Sequence, residues 1–224
     1  LSDYSKLQLL STCKRYLRLV RHVVFTNAYD YDDIKHTRYN FRNVNVYYYD
    51  YLHENEVPRI ATSLTLDDIS YAKYCAHIQY KIPNRITTMI VEKSKHYRPR
   101  LPGSLKNLIF KTTQHGYDIN KLPKNLVSLE LGGENKLFIA PKKLERLTIY
   151  GRVQLNENSI PDTVYKLYLL CSGHYNCSKI LPQRVRCLRI QNIRAEEVPR
   201  SVVHLKITDT LFGNTSRLPD TLEK

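Results

Sequence analysis

Three stretches decide how this chain folds: L-P-K-N-L-V-S-L-E-L at Leu122–Leu131, A-P-K-K-L-E-R-L-T-I at Ala140–Ile149 and I-P-D-T-V-Y-K-L-Y-L at Ile160–Leu169. Each has an apolar residue before Pro and apolar residues three, six and eight positions after it. The pattern extends outward in both directions. Nine of the ten prolines, at 58, 83, 102, 123, 141, 161, 182, 199 and 219, follow one another at steps of 17 to 25 residues. All 34 positions that the rule specifies after these prolines, and just before them, are apolar. In a chain that is 42% hydrophobic chance would give this on the order of once in 10¹³ trials, so the period is real. Two further units lack the Pro. A start at Arg38 places Phe41, Val44 and Val46 in the three columns, and a start at Leu17 places Val20, Val23 and Phe25. Eleven units result, the last beginning at Pro219.

The step of three followed by a step of two reads as a turn running into a short strand. Positions +6 and +8 face one side; +5, +7 and +9 face the other. Pro fixes φ and drives its predecessor into an extended conformation, so it marks the corner that feeds the strand. Four apolar side chains do not offset the entropy of ordering about twenty residues. Each unit therefore needs its neighbours, and the expected fold is an α/β-type repeat solenoid, right-handed in its coil and dominated by a parallel β-sheet.

Composition narrows the function. The chain has 224 residues and a net charge of +14, spread over both halves with no run of three bases, so nucleic acid is not the expected partner. No apolar run is long enough to span a membrane. Five cysteines without a C-x-x-C pair suit reduced thiols, hence an intracellular protein. There is no phosphate-loop, nucleophile-elbow or H-E-x-x-H motif, so no enzyme and no cofactor is expected. Cys171, His174 and Cys177 match no common zinc-site spacing and read as a loop. Tyr47, Tyr48, Tyr49 and Tyr51 follow Val46 and read as a long strand rather than a base-stacking platform. Residues 67–78 read as a capped helical turn, and the sequons at Asn176 and Asn214 matter only in a secreted chain.

The L-x-x-L-x-L core resembles the leucine-rich repeat. The I-P pairs at Ile82 and Ile160 and the L-P pairs at Leu101, Leu122, Leu181 and Leu218, each running into P-x-x-aliphatic-x-x-L-x-L, resemble the FNIP repeat, a leucine-rich-repeat relative of social amoebae and giant viruses. The resemblance covers residues 57–224. It departs in lacking the Phe-Asn pair of the eponymous tetrapeptide and the Asn ladder: the +11 positions hold Thr113, Glu134, Arg152 and Ser172.

Before the repeats, Ser2 or Asp3 can cap a helix carrying Leu7, Leu10, Cys13, Tyr16 and Leu17 at helical spacing. Such a helix can shield the end of a solenoid. Asp3, Leu7, Leu10, Cys13, Lys14, Tyr16 and Leu19 also resemble the second half of an F-box, whose first half would lie upstream of Leu1. With Leu at position 1 and Met89 as the sole Met, the chain is expected to be a fragment, with its last repeat cut at Lys224. The expected organisation is a cap or F-box-like segment at 1–19, two degenerate repeats at 17–57 and FNIP-like repeats at 58–224.

The outward columns are the expected recognition surface. Position +7 runs Val24, Asn45, Thr65, Ile90, Ile109, Glu130, Thr148, Tyr168, Arg189 and Lys206. Position +5 runs His22, Asn43, Ser63, Thr88, Asn107, Ser128, Arg146, Lys166, Cys187 and His204. Ile90 and Ile109 form an apolar pair, and Arg146, Lys166, Tyr168, Arg189 and Lys206 a basic strip. The resemblance implies the substrate-recognition subunit of a cullin–RING ubiquitin ligase, monomeric, with Leu7, Leu10, Cys13 and Tyr16 engaging the ligase adaptor. A basic nucleic-acid-binding solenoid and a structural or decoy scaffold without a ligase link are the alternatives.

Overall fold

The computed structural model describes residues 2–12, 18–37, 39–48, 59–66, 82–92, 101–111, 122–135, 139–171, 177–191, 197–208 and 218–223. Ten strands form one sheet in sequence order, every neighbouring pair parallel. They are β1 (Val24–Asp30), β2 (Asn40–Tyr48), β3 (Ser63–Leu66), β4 (Thr88–Val91), β5 (Asn107–Phe110), β6 (Ser128–Asn135), β7 (Arg146–Val153), β8 (Lys166–Cys171), β9 (Cys187–Ile190) and β10 (His204–Ile207). One helix, α1 (Asp3–Ser11), precedes them, followed by a 3₁₀ turn at Arg18–His22. The chain is a leucine-rich-repeat-like solenoid of parallel strands.

The corner at each repeat proline is a hydrogen-bonded turn. The +3 amide donates to the proline carbonyl, as Leu126 does to Pro123 at 3.2 Å and Val164 to Pro161 at 3.0 Å, and the bond recurs at each repeat proline from Pro83 to Pro219. This bond turns the +3 side chain inward, so Leu105, Leu126, Leu144, Val164, Val185 and Val202 are buried. Immediately afterwards the +4 and +5 amides both donate to the +4 carbonyl of the preceding unit. Lys106 and Asn107 bond to Thr87 at 2.8 and 3.0 Å, and Arg186 and Cys187 to Tyr165 at 2.8 and 3.0 Å. That shared acceptor starts each parallel ladder in the same register, and +6 and +8 then stack as Met89–Leu108–Leu129–Leu147–Leu167–Leu188 and Val91–Phe110–Leu131–Ile149–Leu169–Ile190. These residues form one continuous buried column.

A side-chain ladder at +2, not anticipated from the sequence, ties the corners together. Ser104 Oγ donates to the Ile86 carbonyl (3.0 Å), Thr163 Oγ1 lies within bonding distance of the Lys142 and Leu144 carbonyls (3.0 and 2.6 Å), Ser201 Oγ donates to Val185 (2.7 Å), and Thr221 Oγ1 bridges Arg200 and Val202 (2.8 and 2.7 Å). The eleventh unit, begun at Pro219, makes the same corner, with Leu222 bonded to Pro219 and Glu223 to Val203.

The two units without Pro are strands, but their register differs from the sequence expectation. Val44 and Val46 were expected beside Leu64 and Leu66. Instead Val46 lies opposite Leu64 and Tyr48 opposite Leu66. Without a proline corner nothing pins the start of β2, which runs nine residues and slips by two. A slip of two keeps the same face inward, so Val44 and Val46 are still buried. The outward rows therefore continue through Asn45 and Tyr47, not Asn43 and Asn45. In the first unit Phe25 was expected beside Val46. It lies opposite Phe41, and a bulge before Ala28 brings Tyr29 opposite Val44. Aromatic packing sets this register: the Phe41 ring sits 5.4 Å from Phe25 and 4.7 Å from Tyr29. The helical turn expected at 67–78 and Tyr49 and Tyr51 lie outside the described residues.

In β6 and β7 the ladder continues past the usual four residues to Asn135 opposite Val153. The Tyr150 ring crosses Gly132. Its hydroxyl donates to Glu130 Oε1 at 3.1 Å and lies 3.4 Å from the Phe110 carbonyl, so it spans three strands. A Cβ on Gly132 would collide with the ring and with the Lys111 carbonyl. Gly132→Ala is expected to cost about 1–3 kcal/mol through this overpacking, and Thr163→Val about 1 kcal/mol for two carbonyls left without the hydroxyl. Urea unfolding of each variant beside the parent checks both; an unchanged midpoint for Gly132→Ala would show that Tyr150 does not hold that position.

Candidate recognition face and N-terminal cap

Because +6 and +8 are spent on the core, +5 and +7 stand on the other side of the sheet, in rows about 4.8 Å apart from strand to strand. The first row is Asn45, Ser63, Thr88, Asn107, Ser128, Arg146, Lys166, Cys187 and His204. The second is Tyr47, Thr65, Ile90, Ile109, Glu130, Thr148, Tyr168, Arg189 and Lys206. Two chemically different halves result.

The N-terminal half is uncharged along its rows up to Glu130 and internally bonded. Asn45 Nδ2 donates to Asp30, Thr65 Oγ1 to Asn45 at 3.1 Å, and Asn107 Nδ2 to Thr88 at 3.1 Å. Ile90 and Ile109 lie opposite each other as expected and are half-buried. Beside them Lys111 pairs with Glu92 at 2.5 Å, which raises the lysine pKa. Glu130 closes this half. Its partner Tyr150 has a phenol pKa pushed well above the ordinary value, first by burial and then by the Glu130 charge.

The C-terminal half is cationic. Arg146 and Lys206 are exposed; Lys166, Tyr168 and Arg189 are half-buried. Arg146 lies opposite Lys166, Tyr168 opposite Arg189, and Arg189 opposite Lys206, so the structure brings the whole expected strip together. Lys166 Nζ stands 5.2 Å from the Tyr168 ring centroid, a cation–π contact. Among the described residues no carboxylate lies within ion-pair distance of these four cations, whereas Lys6, Lys35, Lys111 and Lys179 each have one. The Arg189 Nε is buried without a hydrogen-bond partner. His204 faces Glu223 at 3.6 Å.

The other candidate region is the N-terminal cap. Ser2 Oγ accepts from the Ser5 amide at 3.1 Å and caps α1. Asp3 has a different task. Its carboxylate is buried and accepts from Lys6 Nζ (2.7 Å), the Thr26 and Asn27 amides (2.8 and 2.7 Å) and the Tyr29 hydroxyl (3.0 Å). The two amides sit in the bulge of the edge strand β1, so Asp3 satisfies donors that face no further strand. Burial alone would raise the Asp3 pKa. The four donors outweigh it and hold the carboxyl well below the usual range. The sequence signal for this role was only a buriable acid in the first helical turn. Of the residues resembling an F-box, Leu10 is buried and Leu7 is exposed, with Tyr4 and Leu9 exposed beside it. Cys13 and Tyr16 lie outside the described residues. No group of three or more His, Cys, Asp or Glu side chains among the described residues could hold a metal; His174 lies outside them. No described helix is long and apolar enough to cross a membrane.

No protein-family model matches the chain, and no curated protein does. Among solved structures, one described as CroV588, a novel circular leucine-rich-repeat protein, is similar at 16% identity with a TM-score of 0.40. The match covers 81% of this chain and 36% of that one, so this chain spans little more than a third of the other's length.

The Asp3 pKa is lower in the folded than in the unfolded state. Its stabilising effect is therefore complete above the ordinary carboxylate pKa near 4 and is lost as pH falls through the folded value. Protection of the Thr26 and Asn27 amides from hydrogen exchange, corrected for intrinsic rates, is expected to persist at pH 3 and fade only further down. In Asp3→Asn it is expected to be weak at every pH. Equal protection in both proteins would remove the carboxylate from this role.

Proposed function

We propose that the chain is the recognition part of a protein-binding solenoid, and that its N-terminal segment ties it to the adaptor of a cullin–RING ubiquitin ligase as a substrate-recognition subunit. The observation that carries the first element is the division of the sheet. One face is consumed by a continuous core, while the other presents two rows of side chains across nine strands, β2 to β10, a surface suited to an extended partner. Its chemistry varies along its length, which favours a selective contact over a purely structural wall.

The second element is supported by the open flank of α1. A surface helix ordinarily turns its apolar side chains inward, yet Tyr4, Leu7 and Leu9 are exposed while only Asp3 and Leu10 are buried. Leu10 is buried, so an adaptor would meet the exposed Leu7 flank.

Both elements are tested with the full-length protein. Leu7→Asp is expected to abolish pulldown of the ligase adaptor without changing the thermal melt. Ile109→Asp is expected to leave adaptor capture intact and lower partner capture at least severalfold. Absence of adaptor binding by the parent protein would remove the ligase role and leave the binding solenoid standing.

A further inference from the structure

Resting on the reading of the sheet face as a protein-binding surface, we infer that its C-terminal half, on β7 to β10, is a site for an extended acidic peptide segment lying across the strands. Four cations meet there, Arg146, Lys166, Arg189 and Lys206, in two adjacent rows. Elsewhere the described lysines that carry an ion pair find it within their own neighbourhood, by three residues along the chain or by the next unit. These four have no acidic partner among the described residues. The Arg189 Nε is in addition without an acceptor within the fold, so its guanidinium is not taken up by a neighbour of its own.

The geometry sets the size of the occupant. From β7 to β10 there are three strand spacings, about 14 Å. An extended chain covers that distance with about four residues at about 3.4 Å each. Alternate side chains of such a segment face the sheet, so about two Asp or Glu side chains meet the cations, which lie staggered between the rows.

The same strip is poorly built for nucleic acid. Its one aromatic residue, Tyr168, has the Lys166 ammonium over its ring. That face is not open as a stacking platform for a base. The Glu130 carboxylate, two strands before Tyr168 in the same row, would also repel a phosphate backbone continuing toward the N-terminal half. A short acidic peptide ends before it.

The test uses the whole chain and three labelled probes: hexaglutamate, hexaglutamine and a single-stranded oligonucleotide of the same charge as hexaglutamate. Binding is followed by fluorescence anisotropy at low and at physiological salt. Hexaglutamate is expected to bind with an affinity that falls with salt, and hexaglutamine not to bind. Arg146→Glu with Lys206→Glu, both exposed positions, is expected to weaken hexaglutamate roughly tenfold, and Arg146→Gln with Lys206→Gln to weaken it less. The control Lys124→Glu with Lys142→Glu, on exposed corner positions, is expected to change nothing. Each variant must keep the parent circular dichroism spectrum and melt. Loss of affinity equal in the control and in the strip variant, or no binding of hexaglutamate, overturns the proposal. So does tighter, strip-dependent binding of the oligonucleotide, which would assign the strip to nucleic acid. The parent reading fails separately, if neither Ile109→Asp nor the strip variant alters capture of the full-length protein's partner.

Discussion

Everything in this molecule hangs on one repeated backbone arrangement, a single carbonyl at +4 that receives two amides from the next unit. In a parallel ladder neighbouring strands are not joined by tight hairpins, so their register is not set by a turn between them. Here it is set at the corner instead. Pro starts a turn whose closing bond turns the +3 residue inward, and the next two amides find the equivalent carbonyl one unit back. Once that is fixed, +6 and +8 can only stack on +6 and +8. The hydroxyl ladder at Ser104, Thr163, Ser201 and Thr221 satisfies carbonyls of the same corner from the side.

The N-terminal end demonstrates what happens without that device. β1 and β2 have no proline corner, and their register is held by aromatic rings and by a bulge whose donors are taken up by Asp3. A solenoid end exposes polar backbone groups that water or a neighbouring chain would otherwise meet. Asp3 meets them with a buried carboxylate, held ionised by the same four donors it satisfies. α1 is thus clasped to β1 by a polar contact, while its Tyr4, Leu7 and Leu9 side chains stay exposed. The cap and the proposed adaptor contact are two faces of the same short helix.

On the open side of the sheet the repeat imposes spacing but not chemistry. The inward columns are apolar because all of them must pack. The outward columns vary from unit to unit because none of them is needed for the core. That freedom is what allows a self-bonded half without cations on its rows and a cationic half to stand on one continuous ladder. The +14 net charge is a property of the whole chain, but on the outward rows the cations are gathered on the last four strands.

The fold was legible in the sequence because its cause is local and repeated. Pro, an apolar residue at +3, and a period of two at +6 and +8 dictate corner, strand and inward face, and nine prolines repeat the message. The same logic placed Ile90 beside Ile109 and assembled the basic strip, since residues at one position of successive units must be neighbours. What the sequence could not decide lies where local signals are absent or shared. Val44 and Val46 read as the +6 and +8 pair, yet the pairing of β2 with β3 is shifted by two, a slip that leaves the hydrophobic pattern unchanged and is therefore invisible to it. Asp3 reads as a helix cap, and only the proximity of Thr26, Asn27 and Tyr29 makes it the clasp of an edge strand. Gly132 reads as an ordinary residue until the Tyr150 ring lies across it. The sequence alone determined which side chains face inward and in what order the strands stack, because burial and period are encoded in each unit. Only the tertiary structure decided the register of the first strands, the partner of Asp3 and the isolation of the four cations, because those depend on which distant groups share a neighbourhood.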